Sequence, residues 1–115
     1  MAVTAQGSGS QVCTVTTEHT LLDVAVAGTF VLEIDKNVCV ALDVFEVRIY
    51  NIVLTGGTRR VAYFTTFSGA QVADDQILMS VPISNDLTDA GSLRFTLKQT
   101  FGTSRTVPWK ILKFS

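Results

Sequence analysis

Apolar side chains recur at every second position through several stretches of this chain, and only an extended strand turns that period into a one-sided face. Phe30, Leu32 and Ile34 alternate with Glu33 and Asp35, and Phe45, Val47 and Ile49 alternate with Glu46 and Arg48. Leu93, Phe95 and Leu97 repeat the pattern against Arg94, Thr96 and Lys98. No window keeps helical i, i+3, i+4, i+7 spacing through two turns. Each alternating segment can bury one face of a sheet and leave the other in water.

Turn chemistry divides the chain into about seven or eight short strands. Thr55-Gly56-Gly57-Thr58 separates Phe45–Leu54 from Arg60–Phe67, and Gly102-Thr103-Ser104 separates Leu93–Thr100 from Arg105–Phe114, so both pairs are expected to be hairpins. Further strands are expected at Val12–Thr17, Leu21–Val26, Phe30–Asp35 and Gln76–Ile83. Pro82 and Pro108 lack an N–H and assign their segments to sheet edges or bulges. The expected fold is all-β: a single antiparallel β-sandwich, of jelly-roll or immunoglobulin-like type, over residues 12–115. Residues 1–11 hold no charge and include Gly-Ser-Gly-Ser, the composition of a flexible N-terminal arm.

Length and composition agree with one small globular domain. The 115 residues are 47% hydrophobic and 17% charged, too apolar for a disordered chain. A net charge of −1 disfavours nucleic acid as a partner. The uncharged, polar stretch from Met1 to Thr17 lacks the form of a secretion leader, and Asp35, Lys36, Asp43, Glu46 and Arg48 interrupt the most hydrophobic region before it reaches membrane-spanning length. Without a leader, Cys13 and Cys39 are expected as buried free thiols, with a disulfide as the lesser alternative.

Groups able to do chemistry are few. His19 beside Glu18 has no second ligand at zinc-motif spacing, and neither cysteine sits in a CxxC or nucleophile motif, so neither metal nor cofactor is expected. Glu33 with Asp35, and Asp74 with Asp75, are the nearest approach to paired acid and base carboxylates. The first pair falls on the polar side of its strand and the second in a turn, so solvation is the expected role of both, and no enzyme activity is expected.

Charge and aromatic placement point to contact with another macromolecule. Residues 1–57 carry two basic against six acidic side chains and residues 58–115 seven against four, which would make the domain electrically two-sided if the halves occupy different faces. Arg59, Arg60, Arg105, Lys110 and Lys113 form the candidate cationic side, and Phe101, at a turn, is a candidate interface anchor. The two Gly-Thr-x-Arg turns look alike, as two hairpins of equal length would.

Phe45-Glu46-Val47-Arg48-Ile49-Tyr50, Thr55-Gly56-Gly57-Thr58, Ser92 to Thr100, Gly102-Thr103-Ser104-Arg105 and Pro108-Trp109-Lys110 resemble, in general pattern, small β-rich proteins encoded among the virion structural genes of tailed bacteriophages. Within that group, a single sandwich of this size with a polar arm is similar to capsid decoration or cement proteins. The resemblance implies a protein made in the host cytoplasm and carried on the virion, bound to the major capsid protein as a homo-oligomer or as lattice-bound copies. It supplies no residue-level site. A tail, neck or head-fibre component is the alternative; a carbohydrate-binding module using Trp109, Tyr63 or Phe101 is another.

Overall fold

The computed structural model describes residues 2–114. Among these residues nine strands run in chain order: β1 Val3–Val12, β2 Glu18–Val24, β3 Gly28–Asp35, β4 Val44–Asn51, β5 Arg60–Ser68, β6 Ile77–Met79, β7 Ile83–Asn85, β8 Leu93–Phe101 and β9 Thr106–Phe114. They form two antiparallel sheets. One has the order β1-β9-β3-β6, with β7 also on β3, and the other the order β2-β8-β4-β5.

The pairings describe one long hairpin rolled up on itself. β4 with β5 is its tip; then come β3 with β6 and β7, β2 with β8, and β1 with β9 at its open end. Rolling adds two further ladders, β3 with β9 and β4 with β8, and the result is the jelly-roll form of the β-sandwich. The alternating positions meet between the sheets: Phe30, Leu32, Ile34, Phe45, Val47, Ile49, Leu93, Phe95 and Leu97 are all buried, with Val107 and Ile111 beside them. Phe45 and Phe67 stack with ring centroids 4.9 Å apart.

Five expectations are corrected. Residues 1–11 are not an arm: Val3–Val12 is a ten-residue edge strand, in register from Val3↔Phe114 to Val12↔Thr106, while Met1 lies outside the described residues. Its glycines are set by close packing, since a Cβ at Gly7 would come within 2.9 Å of Leu22 and one at Gly9 within 3.4 Å of the Trp109 ring. The segment Val12–Thr17 is accordingly the end of β1 and a turn, with Thr16 at φ +71. Gln76–Ile83 is split around Ser80-Val81-Pro82 into β6 and β7, where the Ser80 hydroxyl accepts from the Leu32 N–H.

Only one of the two expected hairpins exists. β4 and β5 pair across the glycine turn, whereas β8 and β9 lie in different sheets. The reason is local: the Arg105 N–H donates to the Gln99 side chain, and the Arg105 carbonyl accepts from Cys13 N–H. Those groups are then lost to a β8–β9 ladder, and the chain crosses the sandwich instead. Pro108 consequently sits on a central strand, one position beyond the last β3–β9 pair, Ile34↔Trp109.

Candidate functional site

The outer face of the four-stranded sheet carries a concavity of about 530 Å³. Strand alternation aims Glu18 and Thr20 of β2, Arg94 and Thr96 of β8 and Tyr50 of β4 at its floor, and the β4–β5 loop folds back to add Thr58 and Arg59 at the rim. Glu18 Oε2 accepts from the Tyr50 hydroxyl at 2.6 Å and from the Thr96 hydroxyl at 2.7 Å. Arg94 donates through Nε and Nη2 to the two Asp23 oxygens, at 2.6 and 2.9 Å. Arg59 Nη1 donates to the Gly91 carbonyl at 2.9 Å, and a Cβ on Gly91, which has φ +66, would stand 2.6 Å from that nitrogen. The loop is thus held over the sheet by a glycine that only a glycine can replace without displacing Arg59.

Electrostatics fix the ionisation of this face. Desolvation pushes the Glu18 carboxyl up, but the Tyr50 and Thr96 hydrogen bonds, with Arg48 and Lys98 nearby, outweigh it and hold the group below its ordinary value. The Arg94 guanidinium likewise holds Asp23 low. Burial, followed by the adjacent Glu18 charge, pushes the Tyr50 hydroxyl up, so it stays a donor. Beside the concavity, Arg48 pairs with Glu46 at 2.9 Å and lies over the Phe64 ring, 4.8 Å from its centroid.

A second cluster lies at the opposite end of the sandwich. Asp43, only 1% exposed, accepts from Arg105 Nε at 2.7 Å, Val40 N–H at 3.0 Å and Thr103 N–H at 3.2 Å. Desolvation raises its pKa, and these three donors reverse the effect, leaving the carboxyl below its usual range. Buried Gln99 completes the joint by donating to the Phe101 and Thr103 carbonyls. Two large apolar side chains project to solvent next to it: Phe101, and Leu42, which is 74% exposed and holds φ +74.

The six candidate contact residues do not form one patch. Arg59 and Arg60 stand at the end of the sandwich bearing the β4–β5 loop, while Phe101 and Arg105 are at the other end, Arg105 being occupied by Asp43. Lys110 pairs with Glu33 at 3.5 Å across the five-stranded sheet, and Lys113 packs against Gly28. The electrically two-sided domain is overturned in the same way. Rolling the hairpin pairs the acidic first half with the basic second half, as in Asp23–Arg94, Asp43–Arg105 and Glu33–Lys110.

The remaining candidates have structural partners. His19 Nε2 accepts the Thr14 N–H, Asp35 caps the 3-10 turn Lys36–Val38, and Asp75 pairs with buried Lys36 at 3.1 Å. Cys13 and Cys39 are free and buried, with burial pushing the Cys13 thiol up to about 11. Trp109 and Tyr63 pack against the core, so they share no exposed face with Phe101. Among the described residues no three His, Cys, Asp or Glu side chains come together as a metal-binding group, and no helix is long and apolar enough to cross a membrane.

Apart from Arg59, which the sequence marks as a candidate contact cation, the residues of the concavity are not legible as a group because they are far apart in the chain. Alternation marked Arg94 and Thr96 as outward-facing, but only the β2–β8–β4 register brings them to Glu18 and Tyr50. Comparisons with protein families, with curated proteins and with solved structures find no match for this chain.

Proposed function

We propose that this protein is a non-enzymatic virion structural protein of the capsid decoration or cement type, and that it docks on a capsid lattice through the open edge of β1. The observation that carries the reading is the character of that edge. β1 is ten residues long, pairs with β9 on one side only, and contains neither charge nor proline; its single irregularity is the bulge at Gln6. The other edges are blocked: β2 carries Glu18 and Asp23, β5 opens on Arg60, and β6 and β7 are interrupted at Pro82. An unblocked edge presents a row of backbone donors and acceptors to which a partner can add a strand. The jelly roll supports the reading by analogy alone, since it recurs in viral capsid domains and also in lectins. Many copies on a symmetric lattice would turn a modest contact into firm attachment.

Cosedimentation with capsid-like particles lacking the protein tests this. Saturable binding at a fixed ratio to the major capsid protein is expected. The double substitution Ala5→Lys with Ser10→Lys, at two exposed β1 positions, should abolish it while leaving the unfolding midpoint within experimental reach of the parent. Absence of binding, with a discrete ring or trimer in solution, would move the protein to the tail or neck.

A further inference from the structure

We propose that the concavity on the four-stranded sheet is a saccharide site that takes a neutral pyranose, its hydroxyls read by Glu18, Arg59, Thr20 and Thr58. The proposal stands apart from the capsid reading, because it concerns the other sheet.

The argument rests on which hydrogen-bonding groups are already used. Glu18 Oε2 is satisfied by Tyr50 and Thr96, which fixes the carboxylate and leaves Oε1 as an acceptor with no protein donor among the described residues. Arg59 is anchored through Nη1 alone and Arg94 through Nε and Nη2, so each guanidinium retains N–H donors. The Thr20 and Thr58 hydroxyls line the same space and have no protein partner among the described residues. One concavity therefore offers a fixed anionic acceptor, fixed cationic donors and hydroxyls of either sense.

That mixture matches a ligand whose every polar group both donates and accepts, which is the property of a sugar ring's hydroxyls. An anion matches it poorly: phosphate, sulfate or a uronate would meet Arg59 and Arg94 but also the Glu18 carboxylate, which stays charged at neutral pH. The volume, about 530 Å³, falls within the roughly 300–1,000 Å³ typical of small-molecule sites. Three of the four sheet strands supply the floor, and each ionic group is held by a neighbour before any ligand arrives, so little ordering is left for binding.

Titration of the ¹⁵N-labelled full-length chain tests the site. The probes are the methyl glycosides of glucose, galactose, mannose and N-acetylglucosamine, with sodium sulfate and sodium glucuronate alongside. At least one neutral glycoside is expected to shift the Thr20, Thr58, Arg59 and Thr96 amides saturably, undisturbed by either anion. Glu18→Gln and Arg59→Ala should each weaken binding roughly tenfold or more, as loss of a hydrogen bond to a charged group does. Thr58→Trp, at an exposed position outside the ionic pairs, should fill the mouth and abolish binding with the rest of the spectrum intact. No saturable shift with any neutral glycoside overturns the proposal, and so does a response confined to sulfate or glucuronate. Neither result touches the particle-binding experiment, which reads β1.

Discussion

Asp43 shows what a single residue does in this molecule. Its carboxylate is buried, yet it gathers one guanidinium and two backbone N–H groups from two separate segments, so it acts as the knot that ties the β8–β9 crossing to the loop before β4. Asp43→Ala leaves Arg105 and both amides without their acceptor and should destabilise the fold by about 3 kcal/mol in urea unfolding, moderated because Arg105 is partly exposed. The pH dependence has a definite sign. A carboxyl whose folded pKa is depressed contributes stability that is present above its ordinary value of about 4 and is lost as pH falls through the folded value. The unfolding midpoint should accordingly drop on acidification below about pH 4, and the drop should be shallower in Asp43→Asn. Gly102 belongs to the same knot: at φ +101, a Cβ there would collide with the Asp43 carboxylate and approach its Cα to 2.8 Å. Gly102→Ala should therefore cost about 2 kcal/mol or more, against about 1 kcal/mol for the same change at Gly56, where the positive φ strains any Cβ but the space around it is open. The sequence marked Gly102 as a turn glycine, and it is one. It did not reveal that the turn is pinned from below, because Asp43 lies some sixty residues earlier in an apolar strand approach where a carboxylate reads as solvated.

At the scale of elements, periodicity was legible wherever both faces of a strand carry informative side chains. β3, β4 and β8 announce themselves by alternation, and their inward residues are the core. β1 was illegible for a physical reason: its partners are large, so its own inward positions must be small. Leu22 and Trp109 fill the space over Gly7 and Gly9, and a strand built to fit under them has the composition of a linker. Two substitutions separate a strand from a linker here. Gly7→Val, facing Leu22, should destabilise by about 1–3 kcal/mol through overpacking. Ser8→Val, at an exposed position of the same strand, should stay within about 0.5 kcal/mol. A flexible arm would tolerate both equally in thermal unfolding. The glycine turns were legible as turns but not as to destination, since a tight turn returns a strand to its own sheet only if the flanking N–H and C=O groups remain available. Gln99 and Cys13 remove them at 102–105, and nothing in the local sequence says so.

At the scale of the whole molecule, the rolled hairpin makes nearly every ladder long-range. Apart from β4 with β5, each paired strand finds its partner after a large part of the chain has been made, and β1 waits for β9. Loop-closure entropy must be met before such contacts form, so refolding followed by stopped-flow fluorescence of Trp109 should fall on the order of milliseconds to seconds rather than microseconds. The same topology explains why the charge halves were misleading. Sequence proximity places like charges together, and the roll then interleaves them. The concavity was hidden for that reason too, being assembled from positions on β2, β4, β8 and the β4–β5 loop that share only a register.

The Val3↔Phe114 pair puts the first and last strands side by side and leaves both leading out at one pole, away from Asp43 and Leu42. In covalent terms the domain is almost a ring that happens to be cut between β9 and β1. A short bridge across that cut, with a new opening at the exposed Gly56-Gly57 bend, should yield a circularly permuted domain with an unchanged far-ultraviolet spectrum. Anything tethered to either end would share a single exit, while the opposite pole stayed unencumbered.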